Sequence, residues 1–129
     1  MQKSIFLERY PIYSLEINKE ESKFETLDAI VTYLEEQIAK HPIAKFITTF
    51  NHYEHTTGLE NGEVAENIKD AKNVIFCFGP KLPNPQMLAV RPRSIGVVEM
   101  ENSFVVSFLE APNEKFHDTM EKWTKELLK

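Results

Sequence analysis

Four histidines, one cysteine and three arginines hold most of the side chains from which this chain could build a reactive site. Two histidines stand together in His52-Tyr53-Glu54-His55, and the cysteine lies in Ile75-Phe76-Cys77-Phe78. Imidazole and thiolate bind transition metals, and a neighbouring imidazole activates a thiol as a nucleophile. A chelate needs its donors on one face. Residues 44–55 read as a strand, which sends His52 and Glu54 one way and Tyr53 and His55 the other. A metal would then need donors from elsewhere, Glu54 or Cys77. A Cys/His pair would need the two strands to be neighbours. The favoured expectation is a polar strand end running into a loop, with Cys77 as a small core residue. The alternative is a metal site or enzyme centre using His52, His55 and Cys77.

A second cluster is electrostatic. From Ala71 through Val98 there is no acidic residue, in a chain of net charge −5. Lys72, Lys81, Arg91 and Arg93 fall in that stretch. Guanidinium forks match carboxylate or phosphate, and Asn84-Pro85 is expected to open a short helix with backbone donors beside them. If Arg91 and Arg93 alternate on a strand, both forks meet one anion. The competing expectation pairs them with Glu99 or Glu101. The loop 79–93 is the preferred functional loop, since loops on a rigid scaffold commonly carry sites.

The elements that position these residues follow from periodicity. Phe24, Leu27, Ile30, Val31, Leu34 and Ile38 make one helical stripe, with Ser22 and Glu25 as a capping box and Pro42 as the stop. Phe116, Met120, Trp123 and Leu127 repeat that pattern after Pro112. Residues 13–17 and 44–55 alternate like strands, and 73–79 is apolar on both faces, as an interior strand is. Residues 94–110 read as a hairpin turning near Glu101-Asn102. Residues 59–72 fit either a short helix or a loop. One-sided helices must lie on something flat, so the expected class is α+β. The order is β-α-β-β-β-β-α: an antiparallel sheet with two long helices on one face, in a single domain over 1–129. Apolar side chains on the second sheet face call for a ligand or a partner there.

This order, with the punctuation of Asn84-Pro85, Leu88-Ala89, Pro92, the hairpin and the closing helix, resembles a family of small, uncharacterised bacterial and archaeal proteins. Their fold is similar to one repeat of the TATA-box-binding protein. The resemblance implies that fold and a tendency to pair subunits through sheets; it brings no catalytic residues.

The net charge and a pI near 5.4 argue against nucleic acid and anionic membranes as partners, since both require a basic face. No segment approaches a membrane span, and neither the opening residues nor a lone cysteine suggests export, so a cytoplasmic protein is expected. The expected function is non-catalytic: a module that binds a small anionic ligand or self-associates, expected as a homodimer, with no cofactor. Its pocket is placed where the 79–93 loop meets the His52–His55 strand end, using Lys81, Asn84, Arg91, Arg93, His52 and Tyr53.

Overall fold

The structure, a computed structural model, describes residues 1–129. Its six strands are β1 (Gln2–Phe6), β2 (Tyr10–Asn18), β3 (Lys45–Asn51), β4 (Asp70–Cys77), β5 (Arg93–Glu99) and β6 (Ser103–Leu109). They form one antiparallel sheet in the order β1-β2-β6-β5-β4-β3. Helices α1 (Leu27–Lys40), α2 (His52–Thr57) and α3 (Glu114–Lys125) complete the chain. The class is α+β, and four strands separate the two long helices, as expected from the sequence. The hairpin partner β1 and the short α2 are additions.

The α1 stripe buries Leu27, Ile30, Val31, Leu34 and Ile38. Its cap is Thr26, whose Oγ1 accepts from the Ala29 amide at 3.0 Å. The Ser22–Glu25 capping box does not form. Ser22 closes on its own turn, donating to the Phe24 carbonyl at 2.8 Å and accepting from the Phe24 amide at 3.1 Å. That local bond leaves Thr26 as the nearest side chain able to satisfy the first amides. Helix α3 starts the same way, with Asn113 Oδ1 accepting from the Phe116 amide at 3.2 Å.

Both helices bear on one sheet face, where Ile17, Val74, Phe76, Ile95, Val97, Phe104, Val106 and Phe108 are buried. Each such side chain contributes about 1.5–3 kcal/mol on leaving water. Phe76 is fully buried between Phe78 and Trp123. Truncating it to Ala would cost about 3–5 kcal/mol. That core holds the site's scaffold rigid.

The other face carries a row of small or polar residues, Ser14, Ser107, Gly96 and Asn73, which the strand register aligns across the sheet. It is not left wholly to a ligand or partner. Helix α2 and residues 63–68 roof part of it, with His52, Val64 and Ile68 facing a cleft over Asn73, Gly96 and Ser107. Residues 59–69 form turns rather than a helix, and β4 begins at Asp70.

The register also sorts the connections by end. Ile12 pairs with Leu109, Phe108 with Ile95, Arg93 with Phe76 and Cys77 with Lys45. The turn at 7–9, the 41–44 and 78–92 connections, and residues 110–113 therefore meet at one end of the sheet. Helix α2 lies at the opposite end.

Candidate functional site

At that first end the chain leaves β4 through Gly79, whose φ of 42° is a left-handed conformation that glycine adopts without a Cβ penalty. Residues 80–92 loop outward, make a 3-10 turn over Pro85–Val90 and return through a cis Arg91–Pro92 peptide into β5. Between this loop and the β6–α3 connection lies a cleft of about 240 Å³. Its apolar wall comes from Phe78, Met87, Ala111 and Phe116, with the Phe78 and Phe116 rings stacked at 4.4 Å. Its polar groups are Cys77, Lys81, Arg91, Arg93 and Asn113. No Asp or Glu lines it.

Arg93 is the most constrained of these, at 8 % exposure. Its Nη2 donates to the Leu109 carbonyl, while its Nε is buried without a partner. Burial holds the guanidinium below its ordinary pKa, although it remains a cation at neutral pH. Arg91 is half-buried and donates from Nη1 to the Lys81 carbonyl at 2.7 Å. Neither arginine joins a carboxylate. Glu99, one of the acids expected to neutralise them, is held by Lys19 at 2.7 Å. The chain's ion pairs are Lys3–Glu110, Lys19–Glu99, Lys72–Asp28 and Lys125–Glu121, so Lys81, Arg91 and Arg93 stand outside all of them.

Cys77 lies beside Gly79. A Cβ built on Gly79 would sit 3.0 Å from Cys77 Sγ and 3.8 Å from Arg91 Nη1. The missing side chain is what lets thiol and guanidinium approach the same space.

The sequence-derived site is thus divided. Lys81, Arg91 and Arg93 come together, but Arg91 precedes β5 instead of alternating with Arg93 along it. Asn84 stands apart from the cleft, its Oδ1 engaged by the Met87 amide at 3.1 Å. His52 and Tyr53 line the other cleft, at the far end of the sheet. The expected meeting of the 79–93 loop with the His52–His55 stretch does not occur. Phe78, Ala111, Asn113 and Phe116 take that side instead; the sequence set Phe78 on a strand and Phe116 on a helical stripe without showing that they meet.

Residues 52–57 are helical, not extended. Asn51 Oδ1 accepts from the Glu54 amide at 2.9 Å and Thr57 Oγ1 donates to the Tyr53 carbonyl at 2.8 Å. These bonds close a helical turn where side-chain alternation suggested a strand. The turn brings the two imidazoles onto one side, 6.4 Å between centroids, each ring against Phe50. Cys77 cannot join them. It pairs with Lys45, whereas Asn51, just before His52, pairs with Lys72, five residues away along β4. At about 3.3 Å per residue this is roughly 17 Å. No three His, Cys, Asp or Glu side chains in the chain are grouped to hold a metal.

No helix is long and apolar enough to cross a membrane. No curated protein matches the chain. Among solved structures it is similar to the uncharacterized conserved protein DUF302 from Bacillus stearothermophilus. The two share 13 % identity and a TM-score of 0.53, over 91 % of this chain and 94 % of that one. That likeness is one of fold. The model of a family of unknown function, DUF6858, matches residues 1–129 from end to end, and the chain belongs to that family.

Proposed function

We propose that the protein is a non-catalytic binding module for a small carboxylate with an apolar body, held in the cleft between the 78–92 loop and the start of α3. The observation that carries this reading is the set of three cations, Lys81, Arg91 and Arg93, without a carboxylate partner in an otherwise apolar, acid-free cleft. A buried guanidinium Nε without an acceptor is unfavourable by about 1–3 kcal/mol, so the protein itself satisfies the Arg93 cation only in part. An exposed Arg–carboxylate pair adds only about 0–1 kcal/mol, so selectivity must come from the sheltered Arg93 together with the Phe78–Phe116 wall. The cleft volume lies below the usual range for drug-sized ligands, which favours a small aromatic or branched acid.

Thermal-shift measurement with a carboxylate series tests the reading. At ten times Kd, a ligand of the native state alone adds about 1.4 kcal/mol. For a domain of this size that raises Tm by roughly 4–7 °C. The rise should disappear in Arg93→Gln and shrink in Arg91→Gln.

A second observation favours self-association as part of the same module. Phe6, Leu7, Ile43, Leu82, Leu88 and Leu109 are exposed at the cleft's end of the sheet. Side chains of this kind gathered at one end mark interaction surfaces more often than solvent faces. We read the protein as a homodimer joined at that end.

A further inference from the structure

The cleft holds a nucleophile that simple anion binding does not use. Cys77 is the chain's one cysteine, it is half-buried rather than sealed in the core, and it lines the cleft. Arg91 Nη1 shares with it the space left open at Gly79. On the same cleft, Arg93 is more than nine-tenths buried with its Nε lacking an acceptor. A reactive thiol needs a path from solvent and cations near enough to steer an anionic partner to it; Cys77 lies on an open cleft whose charged side chains are all cationic. A carboxylate held by these cations would lie on the same cleft as the sulfur.

We infer that Cys77 is a reversible mixed-disulfide site for small disulfides that carry carboxylates. This rests on the cleft being an anion site, and adds the chemistry of its ligand. The Cys77 proton goes to solvent, and the thiolate attacks one sulfur of R–S–S–R. The bond formed is Cys77–S–S–R; the bond broken is the ligand's own S–S, and R–S⁻ leaves with its electron pair. The incoming disulfide is the oxidant, and a free thiol reverses the step by the same exchange. Arg91, Arg93 and Lys81 act by holding the carboxylate, which raises the local concentration of the anionic disulfide.

The test compares three probes on the full chain: anionic 5,5′-dithiobis(2-nitrobenzoate), neutral 2,2′-dithiodipyridine and cationic cystamine. Each rate is divided by that of N-acetylcysteine with the same probe. At low salt the normalised rate for the anionic probe should exceed that for the cationic one by at least about tenfold, as expected of steering in a cationic cleft. Mass spectrometry should show one adduct, on Cys77. The preference should fall severalfold in Arg91→Gln and in the surface variant Lys81→Gln. Equal normalised rates, or a preference that persists in both variants, would overturn the inference. Benzoate binding to Cys77→Ser separates the two ideas. If that variant still binds benzoate while the wild-type thiol shows no charge preference, the disulfide site is wrong and the anion cleft stands. If Cys77→Ser and the wild type both fail to bind benzoate, the cleft reading fails as well.

Discussion

Arg93 Nη2 donates to the carbonyl of Leu109, which ties the first residue of β5 to the last of β6. The same guanidinium keeps its Nε buried without an acceptor. One side chain thus closes the end of the sheet and leaves a donor unmet beside a cleft. A structural role predicts that Arg93→Met destabilises the protein. A binding role predicts that the cost stays within about 1–3 kcal/mol, that of leaving the Leu109 carbonyl without its donor. We expect the second result by urea denaturation, together with loss of the benzoate-induced Tm rise.

Gly79 is the hinge on which the cleft's shape depends. Its positive φ and the 3.0 Å approach to Cys77 Sγ both oppose a Cβ. Gly79→Ala should lower stability by about 1–2 kcal/mol from the backbone alone. It should also slow reaction of Cys77 with every disulfide, whatever its charge, because the added methyl stands between thiol and guanidinium.

His41 gives the fold a pH dependence of known sign. Its Nδ1 accepts from the Ile43 and Ala44 amides, each at 3.2 Å, and its ring packs edge-on against Phe78 and Trp123. Burial first, and the charge of Lys115 second, hold its pKa below the ordinary 6.5. The unfolded chain therefore takes up this proton before the folded one does. The contribution is fully present above pH 6.5 and is lost as pH falls through the lowered folded value. Urea midpoints measured between pH 7.5 and 5 should fall for the wild type and fall less for His41→Gln.

The exposed pair on α2 should be dispensable for folding. His52 makes one side-chain bond, to Thr56 at 3.0 Å within its own helix. His52→Gln with His55→Gln should change stability by no more than about 0.5 kcal/mol per site, as surface changes usually do. Metal analysis of wild type and double variant should agree. Stoichiometric zinc or iron lost only in the variant would restore the metal reading.

How much of this the sequence disclosed depended on where the signal lay. The α1 and α3 stripes and the interior β4 were legible because burial forces one period on each. Strand β1 was not. Its turn uses Leu7 and Glu8 at φ of 52° and 62°, where sequence reasoning expects Gly or Asn. Helix α2 was misread because local bonds from Asn51 and Thr57 outweighed an alternating pattern too short to decide. The Lys81–Arg91–Arg93 grouping was visible as a gap in acidic residues. Its partners Phe78, Ala111 and Phe116 were hidden, since they reach the cleft only through the pairing of β4, β5 and β6.

Self-association is checked by sedimentation equilibrium. The exposed apolar side chains at that end predict a dimer in the micromolar range, and Leu82→Glu with Leu88→Glu should return it to monomer with the fold intact. A wild-type monomer throughout that range would remove the dimer from the account.

The central claim is that Lys81, Arg91 and Arg93 form an anion site in an apolar cleft. Isothermal calorimetry of the full chain with benzoate and with its neutral amide, benzamide, tests it most directly. The account predicts one saturable benzoate site, weakened at least about tenfold in Arg93→Gln, and no measurable binding of benzamide. Equal binding of acid and amide, or benzoate binding unchanged by Arg93→Gln, would contradict it.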